Sequence, residues 1–307
     1  MTRSFLLLAF LLLSVGSRLF SMNDGSVPPF PNIHPDSVHV SPLDRSSIAD
    51  SWSDVFTHLP HNWSEWYRRE FRTERLPFYA GIAGGTAVLM ATDRATYVPF
   101  RDIYNRSHAF KNFSDRSEFM GQGWFQFGIA GAFALEGWAE GDQRAMNTAV
   151  QTTEVILSCG GVIQLLKHVT GRETPILSST PTGIWRFFPN QIDYAKHVPK
   201  YDSFPTGHLA TATAVLTVIE ANYPEKHWVP YVGIPAIACI GVGMVGQGIH
   251  WWSDYPLGIA IGYSFGKIVG EHHHSDTSEA VSSIDGPDCS FTLIDARVPA
   301  LSFQWHL

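Results

Sequence analysis

The 307-residue sequence contains few cysteines and few basic residues. Lysine and arginine together number 21 against 28 acidic residues, and no dense basic run occurs along the chain. Nucleic acid is therefore not expected as a partner. Three cysteines are too few and too scattered for a disulfide framework or a cysteine-based metal cluster. We expect Cys159 and Cys239 to be small core residues and Cys289, in a polar tail, to be exposed.

The chain also lacks alternating strand patterns, and its mean hydropathy of -0.02 is low for a polytopic membrane protein. Its uncharged runs are dense in Ala, Gly, Leu, Ile and Val, with small residues at spacings that suit close helix contacts. These features predict an all-α helical bundle, secreted and soluble, with a membrane-embedded bundle as the alternative. The predicted helices lie within residues 76–92, 119–135, 155–166, 203–219 and 227–253.

The first 21 residues carry an apolar segment that follows Arg3. A helix over 5–15 would rise about 16 Å, roughly half of the ~30 Å hydrocarbon core of a bilayer. This length predicts a cleaved secretory signal, and so an exported protein that is periplasmic or associated with the cell envelope. The predicted organisation is a signal peptide over 1–21, an N-terminal arm and short helix over 22–75, a helical domain over 76–272 and a non-helical C-terminal tail over 273–307.

Residues that could take part in catalysis or binding lie where apolar runs begin or end. His250 and Asp254 are four residues apart in GQGIHWWSDYPLG, a spacing that places both on one face of a helix. A carboxylate there can hold one imidazole N–H and leave the other ring nitrogen as a nucleophile or base. The alternative is a solvated pair at a helix end, but the neighbouring Trp251 and Trp252 favour the edge of a core.

A second motif, SFPTGHLATA, stands directly before a smooth apolar helix. Gly207 lets the backbone approach a ligand, and Thr206 adds a hydroxyl beside the free N–H groups of a helix start. Those donors favour an anion. Ordinary capping of the helix by Thr206 or Ser203 is the alternative, but a cap does not account for His208 at the same place.

Positive charge is supplied by Lys167 and Arg172 in LLKHVTGRETP. Such groups can neutralise phosphate oxygens through charge-assisted hydrogen bonds, or they can simply complete the carboxyl end of a helix. Together the three motifs resemble those of the type 2 phosphatidic acid phosphatase superfamily, which includes bacterial acid phosphatases, lipid phosphatases and vanadium-dependent haloperoxidases. Its members show K-x6-R-P, P-S-G-H and S-R-x5-H-x3-D. The resemblance extends over about 76–270.

The resemblance implies a role for each matched residue. His250 would be the nucleophile that accepts the phosphoryl group, oriented by Asp254, and His208 would be the general acid that protonates the leaving oxygen. No metal ion or other cofactor is implied. The residues implied or considered for substrate binding are Lys167, Arg172, Thr206 and Gly207.

The chain departs from the family pattern at three positions. Thr206 replaces a serine and keeps its hydroxyl, whereas Thr174 and Met244 replace two arginines. Lysine cannot reproduce the bidentate contacts of a guanidinium, so other cations must compensate or activity must be weak. The candidate replacements are Arg172, Arg186, Lys196 and Lys200.

We therefore predict a phosphoric ester hydrolase of the acid or lipid phosphatase type, which uses a phosphohistidine. Its expected substrate is a phosphorylated small molecule or lipid, and contact with a membrane surface is expected for the lipid case. Three alternatives stay open: a non-catalytic member that binds phosphate or phospholipid, a vanadium-dependent haloperoxidase, and a purely structural envelope protein.

Overall fold

A computed structural model describes residues 45–282, 288–295 and 298–304, with side chains described at 52, 53 and 55–271. The predicted signal peptide and the arm up to residue 44 lie outside the described residues, as does the side chain of Cys289. The helices are α1 (Arg45–Glu70), α2 (Leu76–Arg106), α3 (His108–Gly121), α4 (Gly123–Glu140), α5 (Gln143–Thr170), α6 (Gln191–Lys196), α7 (Gly207–Asn222), α8 (Trp228–Gln247) and α9 (Tyr255–Ser282), and the strands are β1 (Asp288–Asp295) and β2 (Val298–Gln304).

The centre of the bundle is formed by α5, α7 and α9. Buried apolar side chains of these helices form one core cluster, which includes Cys159, Ala214 and Phe265. Glycines recur at every fourth residue of α9 from 258 to 270. A Cβ atom added at Gly262 would lie 2.0 Å from the carbonyl oxygen of Ala210, so α7 and α9 approach more closely than larger side chains would allow. The predicted all-α bundle is confirmed.

Several predicted boundaries differ from the observed ones. The run 119–135 is divided, because Gly121 ends α3 and Gly123 begins α4. The run 227–253 leaves the helix at Gln247, where the next residue, Gly248, adopts a left-handed φ of 84°. At the other end of the domain, α9 continues past 272 to Ser282.

The C-terminal tail is non-helical from β1 onward. Strands β1 and β2 pair in an antiparallel hairpin, in which Cys289 lies opposite Phe303. The other two cysteines lie in helices: Cys159 is fully buried in α5, as expected, whereas Cys239 in α8 is only half-buried.

Large apolar side chains also cover the outer faces of α2, α4 and α8. Val88 is 69% exposed, Trp124 85% and Tyr231 79%. By length and composition α5 and α8 could each cross a membrane, although most of the apolar window of α5 is buried in the bundle. These features are consistent with membrane association.

Candidate active site

The three motifs meet at one end of the bundle. Lys167 lies in the last turn of α5, His208 in the first turn of α7, and His250 in the connection between α8 and α9. The ring centroids of His208 and His250 are 5.8 Å apart, with the rings nearly perpendicular. A Cβ atom added at Gly207 would lie 3.8 Å from Lys167 Nζ, so the lysine ammonium faces the start of α7.

His250 is buried at the centre of this site. Because Gly248 ends α8, His250 does not share an α-helix with Asp254, as the spacing had predicted; a short 3-10 turn brings them together instead. His250 Nδ1 lies 3.4 Å from Asp254 Oδ2. Burial lowers the pKa of His250, and the charge of Lys167 adds to this, while Asp254 opposes it. The imidazole is thus held neutral. Neither ring nitrogen makes a hydrogen bond of good geometry among the described residues, and Nδ1 is the nitrogen that faces Asp254, which leaves Nε2 free.

Asp254 is fixed by several donors. Its Oδ2 accepts hydrogen bonds from Ser203 Oγ at 2.6 Å and from the Trp251 backbone N–H at 2.8 Å. Its Oδ1 lies 2.5 Å from Arg172 Nη1. Burial alone would raise the pKa of Asp254, but the Arg172 charge and the hydrogen bonds from His250 and Ser203 outweigh it and lower that pKa. The carboxylate therefore stays ionised beside His250.

Arg172 contacts Asp254 and further protein oxygens. Its guanidinium also contacts Asp93 Oδ2 at 2.6 Å, donates to Ser253 Oγ and donates to the carbonyl oxygen of Thr182. All three side-chain nitrogens of this fully buried residue donate to protein oxygens. This corrects the expectation that Arg172 binds substrate: its donors are already taken by the protein.

Thr206 distinguishes between the two interpretations of the start of α7, which are capping and anion binding. It occupies the N-cap position of α7, but its side chain makes no capping hydrogen bond. The hydroxyl is completely buried and has no hydrogen-bond partner in the described part of the chain. Ser203, the other candidate cap, donates to Asp254 instead. An unpaired buried hydroxyl beside free helix N–H groups suits an anionic ligand.

Lys167 is held in place by a carboxylate that the sequence motifs did not predict. Its Nζ lies 2.8 Å from Asp202 Oδ2, and Tyr194 donates its hydroxyl to the other oxygen of Asp202. Lys167 is 3% exposed. Lys167 was indicated by its place at a helix end and by the lysine of the family motif, whereas no motif marked Asp202, which follows 35 residues later.

The two positions that lack the family arginines differ from each other. Met244 is fully buried in an apolar cluster with Leu209 and Val245. Thr174 is nearly buried, its hydroxyl has no hydrogen-bond partner within the described residues, and it lines a groove. That groove has a volume of about 540 Å³, and its wall includes Arg101, Lys111, Thr174 and Asp202.

Two of the other proposed replacement cations, Arg186 and Lys200, are engaged elsewhere. Arg186 Nη2 lies 3.1 Å from Glu173, and its Nη1 donates to the backbone oxygen of Lys200. Lys200 itself lies 3.6 Å from Asp193. Across the described side chains, no group of three or more His, Cys, Asp or Glu is arranged to hold a metal ion.

Comparison with known proteins places this constellation in a family. Residues 148–274 match the model of the PAP2 superfamily, and this range contains all three motifs. The match supports the PAP2 superfamily for this chain. It also supports a phosphatase-type function in general.

Two PAP2 relatives give the degree of similarity. A lipid A 1-phosphatase of Porphyromonas gingivalis is 31% identical over 68 residues, which is 22% of this chain and 15% of that protein. The crystal structure of a transmembrane PAP2 type phosphatidylglycerolphosphate phosphatase from Bacillus subtilis aligns with a TM-score of 0.44 at 12% identity, over 76% of this chain and 99% of that one.

Proposed function

We propose that the protein is a phosphoric ester hydrolase that transfers a phosphoryl group from a lipid phosphate or pyrophosphate to water through a phosphohistidine at His250. The observation that carries this proposal is the unpartnered Nε2 of a buried, neutral His250, in a site that also holds His208 and Lys167. A neutral imidazole with a free ring nitrogen is a nucleophile, and a neighbouring ammonium attracts the anionic group it would attack.

In the first step, the His250 Nε2 lone pair forms a bond to phosphorus while the bond from phosphorus to the leaving oxygen breaks. The electron pair of the broken bond goes to that oxygen, which takes a proton from His208. His250 becomes positively charged as it is phosphorylated, and the ionised Asp254, 3.4 Å from Nδ1, stabilises this charge. Asp254 thus both orients the His250 ring and stabilises its positive charge.

In the second step, water attacks phosphorus and the bond to His250 Nε2 breaks. His208, neutral after the first step, accepts a proton from that water. Both histidines then return to their starting states and inorganic phosphate leaves. The phosphate oxygens would be held by Lys167, the hydroxyl of Thr206 and the backbone N–H groups at the start of α7.

The lipid part of the proposal is supported by the outer surface of the bundle. Exposed apolar residues on α2, α4 and α8, including Val88 and Trp124, are suited to contact hydrocarbon. The relatives are named as phosphatases of lipid A and of phosphatidylglycerolphosphate. The groove beside Thr174, with Arg101 and Lys111 in its wall, offers room for a polar headgroup. Export by the N-terminal segment stays a prediction.

A second candidate is a PAP2 member that binds phosphate or phospholipid without turnover. Two observations favour it. Met244 is buried in an apolar cluster, and Arg172 is paired with two carboxylates, so neither position supplies a guanidinium to the phosphate. Loss of one preorganised donor can lower a rate about 100-fold to 1000-fold. Experiment therefore has to distinguish a slow enzyme that relies on Lys167 alone from a protein that binds phosphate without turnover.

The test uses the full chain in detergent and in phospholipid vesicles. Phosphate release is measured from an aryl phosphate, a long-chain lipid phosphate and a lipid pyrophosphate, with and without a metal chelator. We expect release that resists the chelator and disappears in His250→Ala. His108→Ala, at an exposed position at the start of α3, serves as the matched control and should keep full activity.

Two outcomes would replace the proposal. If a folded protein binds vesicles that contain the lipid phosphate but releases no phosphate from any of the esters, the binding-only member is correct. If bromide is oxidised after addition of vanadate and peroxide, and no ester is hydrolysed, the haloperoxidase alternative is correct.

A further inference from the structure

A carboxylate that belongs to none of the three family motifs contacts the proposed general acid. Glu118 lies on α3, and its Oε1 is 3.5 Å from His208 Nε2. The Glu118 side chain is 15% exposed. Gln122, one turn later, donates its amide to both Glu118 oxygens, at 2.9 and 3.2 Å. The carboxylate is therefore held between an amide donor and the imidazole.

Close packing of the backbone places Glu118 at this position. A Cβ atom added at Gly121 would lie 2.7 Å from Ile240 Cγ2 and 3.1 Å from His208 Cβ. The last turn of α3 is thus pressed against the first turn of α7 and against α8, with no space for a larger residue. The distance between Glu118 and His208 is set by this helix contact, so it does not depend on one flexible side chain.

The groups around Glu118 and His208 indicate how this carboxylate interacts with the histidine. The pKa of Glu118 is lowered, first by its hydrogen bond with His208 and further by Gln122, while burial opposes this. The ring of His250 faces His208 from the turn before α9, and Lys167 Nζ, from α5, lies beside the neighbouring Gly207. Within the described residues, Glu118 is the acidic side chain that contacts His208.

We propose that Glu118 is a positioning residue that orients the His208 ring and directs its Nδ1–H to the leaving oxygen. This inference rests on the proposed function. Because Nε2 faces Glu118 at 3.5 Å, the buried Nδ1, which has no hydrogen-bond partner in the described chain, is the nitrogen left to act on substrate. When the phosphorus–oxygen bond breaks, the leaving oxygen takes the Nδ1 proton, and Glu118 keeps its charge throughout. In the second step, Nδ1 recovers a proton from the attacking water.

The first test compares two leaving groups. An aryl oxygen leaves well without a proton, whereas an alkyl oxygen needs one, so only the alkyl ester depends strongly on the acid. In Glu118→Gln, kcat/KM for an alkyl phosphate should fall at least about 10-fold, and for an aryl phosphate less than about 3-fold. Glu118→Asp should restore part of the alkyl activity. Glu140→Gln, an exposed glutamate at the end of α4, is the control and should change neither value.

The second test reads the contact between the two side chains directly. In histidine-labelled protein, the ring signals that are absent from His208→Gln are assigned to His208 by NMR. Glu118→Gln should change the Nε2–H signal of His208, because the carboxylate that faces this nitrogen has been replaced by an amide. Glu140→Gln should leave that signal where it is.

An unchanged Nε2–H signal, or equal losses for aryl and alkyl esters, would overturn the role of Glu118. These results are distinguishable from failure of the proposed function. If the unmutated protein hydrolyses no ester, the catalytic proposal fails, and the NMR signal still decides whether Glu118 holds the ring of His208.

Discussion

Arg172 Nη1 lies 2.5 Å from Asp254 Oδ1, and neither side chain is exposed to solvent. The same guanidinium contacts Asp93 on the opposite side, so one cation joins α2 to the active-site turn. Two buried carboxylates would repel each other without the arginine between them. This ion-paired triad therefore sets the position of Asp254, and through it that of His250.

The first prediction concerns the stability supplied by Arg172. Arg172→Met should lower the free energy of unfolding by about 3–5 kcal/mol, because it leaves two buried carboxylates without their partner. Denaturant unfolding in detergent, followed by tryptophan fluorescence, measures the change. Arg106→Ala removes an arginine that is 82% exposed and 3.9 Å from Asp102, and should leave the unfolding curve unchanged. Equal curves for the two variants would refute this account of Arg172.

The second prediction separates the two carboxylates of the triad. Asp254→Asn should lower kcat about 100-fold or more, because it removes the charge that stabilises the phosphorylated His250. Asp93→Asn, which touches Arg172 but not His250, should lower stability and keep kcat within about 10-fold. Both variants are assayed for turnover and for unfolding. If they lost the same share of kcat, Asp254 would have no role beyond structure.

The third prediction concerns pH. Because the pKa of His250 is lowered from its ordinary 6.5, the histidine takes up its proton less readily in the folded protein than in the unfolded chain. Its contribution to stability is complete above pH 6.5 and is lost as the pH falls through the folded pKa. We expect the acid limb of kcat/KM to lie below pH 6.5, and the acid loss of stability to be smaller in His250→Gln. An acid limb above that pH would contradict the neutral nucleophile.

The fourth prediction follows from the unpaired hydroxyl of Thr206. Thr206→Val keeps the shape and removes a buried hydroxyl without a partner, so stability should be unchanged or slightly higher. Loss of a capping hydroxyl would instead cost about 1 kcal/mol. Phosphate binding should weaken, with kcat/KM about 10-fold lower, and Thr206→Ser should behave like the unmutated protein. Unfolding and phosphate inhibition are measured together. A stability loss with normal kinetics would identify Thr206 as a cap.

The fifth prediction tests the missing guanidiniums. Thr174→Arg should raise kcat/KM about 10-fold or more, because Thr174 lines an open groove in which a long side chain can extend. Met244→Arg should instead unfold the protein or prevent its expression, since it buries an unpaired charge in an apolar cluster. Thr174→Gln is the matched control for size without charge. A Thr174→Arg variant no faster than Thr174→Gln would show that the missing charge at this position does not limit turnover.

The sequence by itself determined the helical architecture and the identity of the motif residues. Uncharged runs without period-two alternation can bury their apolar surface only as packed helices, and the small residues within them indicated close helix contacts. The spacing of His250 and Asp254 correctly indicated neighbours, because a four-residue separation is short in a helix and in the 3-10 turn that replaces it.

Only the tertiary structure decided which charged groups meet. Arg172 was expected beside the phosphate because it stands near Lys167 in the sequence, but it faces Asp93 and Asp254, which come from α2 and from the turn before α9. Glu118 and Asp202 were missed for the same reason, since each acts on a residue distant in the chain. Helix propensity and apolar periodicity are local properties. Pairing of buried charges depends on distances across the folded bundle, which no local pattern records.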